Sequence, residues 1–244
     1  MQSNASSKVF LGAVVLSGLA VLTNAVLHAS SADPVRFISF VLVACVAARL
    51  KVKLPGLTGN MSVNLPFILV AVAEMRMAEA ALVACLSTFV QCLPRAPQKL
   101  NLVQVTFNFF NMALAVGATR LVFGQPFLKS GSASQGLLLC LSAAAFFLVN
   151  TAPVATIISL TESKNVLKIW GNIFQLSFPY FVLSAAIAGL VLAASQHIGW
   201  PVPLFILPIM FGVFYSYKRY FAESASMQMK FVLNTKAAPT EIKA

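Results

Sequence analysis

Aspartate is almost missing from this chain: Asp33 is the only one. Histidine is nearly as scarce, with His28 and His197 far apart. Charged residues make up only 9% of the sequence, where soluble domains run near a quarter. One aspartate and two distant histidines cannot assemble the His/carboxylate sets of metallohydrolases. There is no G-x-S-G within an apolar run, no Walker lysine and no glycine-rich phosphate loop. The expectation is therefore a non-enzyme without metal or cofactor. The cysteines, Cys45, Cys85, Cys92 and Cys140, all fall in apolar runs and none is in a C-x-x-C pair. Cysteine acts as a small hydrophobe when buried, so free thiols are expected. Lys and Arg outnumber the acids 17 to 6. In a soluble protein that excess would suggest nucleic acid; here it reads as membrane topology, and no nucleic-acid partner is expected.

What the chain has in abundance is apolar residues, 59% of 244. Runs approaching or exceeding the ~20 residues that a helical span needs recur along its length. The fold class expected is all-α: a polytopic transmembrane helical bundle occupying residues 1–220 as one domain, surrounded by lipid bilayer. Residues 221–244 read as a short basic cytoplasmic tail without fixed structure. About eight crossings are expected, near 9–28, 35–49, 63–75, 78–93, 101–123, 135–160, 172–196 and 201–217. The first follows Lys8 and could be mistaken for a signal peptide. Its core is longer than the ~7–15 residues of a cleaved signal, which favours a retained helix. The stretch 63–75 is short, contains Pro66 and follows "GLTGNMSVN", which reads as a turn entering an extended segment. A half-length or re-entrant piece is expected there, tolerated only where protein or a water cavity covers its backbone.

Charge tests this count. With the N-terminus in the cytoplasm, the inner segments hold Lys8; Arg49, Lys51 and Lys53; Arg95 and Lys99; Lys164 and Lys168; and Lys218, Arg219, Lys230, Lys236 and Lys243. Arg36, Arg76, Arg120 and Lys129 remain on or near the outer side. Every inner loop then obeys the positive-inside bias, with both termini cytoplasmic. In "TESKNVLKIWGNIF" (161–174), Val166, Ile169, Trp170 and Ile173 share helical spacing. This predicts a short amphipathic helix on the inner leaflet, anchored by Trp170.

Some polar residues interrupt the apolar spans. "TFNFFNMALAV" (106–116) carries Asn108 and Asn111, and the register extends to a stripe of Asn101, Gln104, Asn108, Asn111 and Ala115 on one helical face. A lipid-facing amide leaves its hydrogen-bonding groups unsatisfied, so this face should point into the bundle. Asn150, Asn172 and Gln175 are the expected partners. Two readings stand: interhelical hydrogen bonds that set helix register, or a ligand-facing wall formed by Gln104, Asn108, Asn111, Asn150, Asn172 and Gln175. Glu74, Arg76 and Glu79 are expected in an outer hairpin, and His28 and His197 at interfaces. Pro153, Pro179 and Pro208 fall within the last three long helices, where each removes a backbone hydrogen bond.

Four segments carry a likeness: "KLPGLTGNMSVNLPFILVAVAEMRMAEAALVACLSTFVQ", "TFNFFNMALAV", "LVNTAPVATIISLTESKNVLKIWGNIFQLSFPYFVLSAAIAGL" and "LFILPIMFGVFYSYKRYF". In this order they resemble the MASE-type integral sensors, membrane-embedded regions that precede HD-GYP or GGDEF output domains in bacterial signalling proteins. The likeness covers about residues 50–220. It implies a sensor or ligand-binding module in the bacterial cytoplasmic (inner) membrane. Those relatives continue into a catalytic domain, whereas a basic tail follows Tyr220 here. The expectation is action through another membrane or cytoplasmic subunit, with a small apolar or amphipathic ligand. Residues 56–90 are also similar to the substrate-binding subunits of vitamin uptake transporters, where Ala185, Ala186 and Gly189 would give close packing to a coupling partner. A structural accessory subunit of a larger membrane complex is the third reading.

Overall fold

The computed structural model describes residues 5–29, 33–53, 60–94, 100–125 and 135–237. Its elements are α1 (Ala5–Leu27), α2 (Pro34–Arg49), β1 (Lys51–Lys53), β2 (Asn60–Ser62), α3 (Leu65–Glu74), α4 (Met77–Cys92), α5 (Leu102–Phe123), α6 (Gln135–Glu162), α7 (Val166–Ile198), a 3-10 turn (Val202–Phe205) and α8 (Ile206–Ala237). The described residues are overwhelmingly helical. The one departure is a small antiparallel ribbon in which Lys51 pairs with Ser62 and Val52 with Met61. Three helices start on side-chain caps. Asp33 accepts from the Val35 and Arg36 amides, Asn101 from Gln104, and Asn165 from Leu167 and Lys168. Each satisfies amides that the first helical turn leaves free.

Among the described residues four helices, α1, α5, α6 and α7, are long and apolar enough to cross a membrane. Large apolar side chains stay exposed on helix after helix: Leu16 on α1, Leu42 on α2, Leu121 on α5, Leu148 on α6 and Leu190 on α7. Such a surface suits lipid and not water, and the chain is an integral membrane protein. All eight stretches expected to cross are helical, but α2 and α4 have only 16 residues each and α3 has 10.

Helix directions follow from contacts. Gly18 lies against Phe110, and Val21 against Gly117, so α1 runs parallel to α5. Cys92 at the end of α4 meets Asn108 near the start of α5. Glu74 at the end of α3 meets Arg36 at the start of α2 and Ser195 near the end of α7. One end of the bundle therefore holds the ribbon, Arg49 and Leu93, and the other holds Glu74. Helices α1 and α5 start at the ribbon end. Helix α8 starts at the Glu74 end and runs back to pack on β1.

Two expectations need correction. Residues 166–174 are not a separate interfacial helix but the first turns of α7, which Asn165 starts and which continues unbroken to Ile198. Ile169 and Ile173 bury against Ala155 of α6, and Trp170 donates to the Thr151 hydroxyl at 3.1 Å. The apolar stripe in that segment serves a helix–helix contact. The stretch from 221 is also not a structureless tail, because α8 continues to Ala237. Its "FAESASMQMKFVLNTKA" contains neither Gly nor Pro and several strong helix formers. Pro208 sits in the first turn of α8, where a missing amide costs little. The loop cations Arg95, Lys99 and Lys129, the glycines of "GLTGN" and residues 238–244 lie outside the described residues.

Helix α1 is held by a close crossing. A Cβ on Gly18 would lie 2.6 Å from the Phe110 carbonyl oxygen, whereas one on Gly12 would meet nothing within 4 Å. Gly18→Val is expected to lower the melting temperature by several degrees, and Gly12→Val to leave it unchanged. Thermal unfolding of the detergent-solubilised variants tests this; equal effects of the two would contradict the crossing.

Candidate functional site

Among the described elements, the least exposed is the shortest α-helix. Every residue from Leu65 to Val72 is buried, and α3 is ringed by α2, α4, α5 and α7. At 1.5 Å per residue it is about 15 Å long, roughly half the hydrocarbon thickness. Pro66 in its first turn starts it, and an extended Met75 ends it. The expected half-length piece at 63–75 is thus present, and its backbone is covered by protein.

Its start carries a chain of hydrogen bonds. Ser62 Oγ donates to Asn64 Oδ1 at 2.7 Å, Asn64 Nδ2 donates to Ser87 Oγ at 3.0 Å, and Ser87 Oγ donates to the Ala84 carbonyl at 3.0 Å. From the other side the Leu65 amide donates to the Tyr180 hydroxyl of α7 at 3.2 Å. Tyr180 is itself buried, and its ring lies edge-on to Tyr217 of α8, with centroids 6.2 Å apart. The Ser184 hydroxyl is also fully buried and lies beside that of Tyr180, within its hydrogen-bonding reach.

The far end of α3 is held by charge. Glu74 pairs with Arg36 and accepts from Ser195 Oγ, and Arg120 donates to the Val72 carbonyl. Arg36 and Glu74 side chains are only 26% and 16% exposed. Two cations thus meet the negative end of the helix and the carboxylate on it. Arg76 and Glu79 form the turn into α4, the Glu79 carboxylate accepting from the Arg76 amide at 2.9 Å. At the ribbon end, Arg49 and Lys51 donate to carbonyls of Val90 and Leu93, closing the end of α4 in the same way.

The amide face divides. Asn111 is 1% exposed and donates from Nδ2 to the Asn150 carbonyl at 3.0 Å and to Asn150 Oδ1 at 3.4 Å. Asn150 lies three residues before Pro153, so the Asn111 contact falls in the same turn as the proline. Asn108 donates to Cys92 Sγ at 3.4 Å instead. Asn101 caps α5 and Gln104 is exposed. Asn172 and Gln175 are also exposed: the face α7 buries runs through Ile169, Ile173, Ser177 and Tyr180. A six-residue wall of Gln104, Asn108, Asn111, Asn150, Asn172 and Gln175 does not form, whereas the Asn111–Asn150 contact between α5 and α6 does. The shallow open groove along Leu16, Leu19, Thr23 and Leu27 of α1 involves none of them. Sequence reasoning missed Tyr180, Ser184, Ser87 and Asn64, since isolated polar groups inside apolar runs carry no periodic signal of their own. The cysteines are free, and His28 bonds the Asn24 carbonyl of its own helix.

In comparisons with known proteins, no family model, no curated protein and no solved structure matches the chain. The likeness to MASE-type sensors rests on the quoted motifs alone.

Two predictions follow from this geometry. Asn111→Leu is expected to cost about 0.6 kcal/mol, typical of such contacts in membranes, leaving the chain folded; a loss of folding in thermal unfolding contradicts the register role. For the ion pair, Arg36→Ala and Glu74→Ala should each destabilise, and the double variant should be less unstable than their sum, with a coupling of about 1–2 kcal/mol. Strict additivity in the unfolding cycle would mean that the pair contributes nothing.

Proposed function

We propose that this protein is a non-enzymatic sensor module of the bacterial inner membrane, of MASE-like type, binding a small apolar or amphipathic ligand and acting through a partner subunit. What supports the reading is the position of Tyr180. Its hydroxyl takes the first amide of α3, the most enclosed element, while its ring packs on Tyr217 of α8. Helix α8, about 48 Å long at 1.5 Å per residue, packs on β1, the 3-10 turn and α2 and only slightly on α7. A change at the start of α3 has one aromatic contact through which to move a loosely seated helix. Coupling of this kind needs an element with two arrangements that the ligand binds unequally.

The topology proposed with it has eight crossings, α3 being partial, and the ribbon end in the cytoplasm. Both α1 and α8 point their terminal ends there, alongside Arg49 and Lys51, as the positive-inside bias requires. The reading as a vitamin-type transport subunit loses part of its footing: Ala185 is buried, and Gly189 faces Leu139 of α6 so closely that a Cβ would lie 3.3 Å from it. Two of the three small residues are thus used inside the chain, and Ala186 alone is exposed.

Purification in mild detergent followed by native mass spectrometry tests the partner. A second protein subunit is expected, held less well by Tyr217→Ala, whose own melting temperature should change by only a few degrees. A chain that runs alone in every mild detergent contradicts the proposal. Reporter fusions at Ala244 and Lys129 are expected in opposite compartments, and the same compartment for both would overturn the topology.

A further inference from the structure

We propose that the outward face of α1 is a self-association surface, on which the same face of a second copy of this chain packs in parallel. The inference goes beyond the sensor reading and does not rest on it.

Helix α1 is the least buried of the four long apolar helices: 17% of its most apolar stretch is buried, against 39–50% for α5, α6 and α7. It turns one face inward, through Ser7, Val14, Gly18 and Ala25. The other side carries a groove lined by Leu16, Leu19, Ala20, Thr23, Asn24 and Leu27. Leu16, Leu19 and Leu27 are 69%, 49% and 76% exposed. The lining has the spacing of a helix-packing surface. Leu16, Leu19, Ala20 and Thr23 stand at i, i+3, i+4 and i+7, and Ala20, Thr23, Asn24 and Leu27 repeat the pattern one turn on. Each such set of four is a hole that takes one side chain of a facing helix. The seam continues back through Ala13 and Val9, both exposed, at spacings of three and four. Ala20 at the centre lets two backbones approach closely.

The polar part of the lining selects the occupant. Lipid suits a purely apolar groove, but this one contains Thr23 and Asn24, both exposed. Apolar Val26 and Leu27 follow Asn24, so its amide lies ~4 Å below the end of the apolar run, at hydrocarbon depth. The Asn24 backbone carbonyl is taken by His28, while its side chain has no hydrogen-bond partner among the described residues. An amide left so in lipid costs several kcal/mol. A second copy supplies the partner. Copies of one chain insert in one orientation. Two of them therefore meet about a two-fold axis along the membrane normal, with identical surfaces in contact. Their α1 helices are then parallel, and residues of equal number lie at equal depth. Thr23 and Asn24 of one copy stand level with Thr23 and Asn24 of the other. A carboxamide both donates and accepts, and so does a hydroxyl, so each copy satisfies the other. The lining carries no charge, and like groups do not repel across the axis.

The test is native mass spectrometry of the full chain in mild detergent over a concentration series. Wild type is compared with Asn24→Leu, Ala20→Phe and Leu190→Phe, the last adding bulk on the exposed surface of α7 as a control. Wild type is expected at twice the 26.1 kDa chain mass. Asn24→Leu should raise the dissociation constant about tenfold, as loss of an interhelical amide contact does. Ala20→Phe, which fills the groove, should leave single chains, and Leu190→Phe should stay paired. All three variants change exposed positions, so each should remain folded, as thermal unfolding checks; should Ala20→Phe not fold, Asn24→Leu carries the test. Wild type running as single chains at every concentration overturns the proposal, as does pairing that neither α1 variant weakens. Asn24→Leu pairing as tightly as wild type overturns the amide contact on which the choice of a second copy rests. A different protein held in place of the second copy, and lost in Ala20→Phe, overturns self-association. A pair of copies with no other protein supports this inference and counts against the separate partner subunit, so the two readings fail independently.

Discussion

A helix that begins and ends inside an apolar bundle must find partners for its end groups there, because neither lipid nor bulk water supplies them. Helix α3 is that helix, and much of the surrounding arrangement follows from the need. Tyr180 takes its first free amide, Arg120 takes a carbonyl of its last turn, and Glu74 at its end is neutralised by Arg36. The partners come from α2, α5 and α7, so closing the two ends of a ten-residue helix also ties three longer ones together. Burial of Phe67, Ile68, Leu69 and Val70 adds apolar area, but the polar ends decide where that area sits.

The two ends differ in kind. At the Glu74 end, full charges meet in half-exposed surroundings, where ion pairs hold geometry at modest energy. At the start, neutral hydroxyls and an asparagine do the same work in full burial, where a charge without partners would cost several kcal/mol.

Part of this was legible in the sequence. Pro66 after a glycine-rich turn marked a short helix, and α3 is one. The spacing of Asn108 and Asn111 placed both toward the bundle, and Asn111 reaches Asn150 across it. The same reasoning failed for Asn172 and Gln175, because the face of α7 that packs inward runs through Ile169, Ile173 and Ser177 and both amides lie off it. It failed for Tyr180 and Ser184 because a hydroxyl in an apolar run looks alike whether it faces protein or lipid. It also failed for the length of α8, where charge and polarity were read as disorder although the local residues favour helix. Composition and period locate helices; which polar side chain meets which helix end depends on tertiary contacts that no local pattern encodes.

The central claim is that α3 is an enclosed half-helix whose ends are satisfied by protein. Hydrogen–deuterium exchange of the full chain in lipid nanodiscs tests it most directly. The account predicts that the amides of Phe67–Val72 exchange among the slowest in the molecule, as slowly as those of Ala113–Val116 in the middle of α5, and that Tyr180→Phe speeds exchange at Leu65 before it does so elsewhere. Exchange across 65–72 as fast as in the terminal turns of the bundle, or no change at Leu65 in Tyr180→Phe, would contradict it.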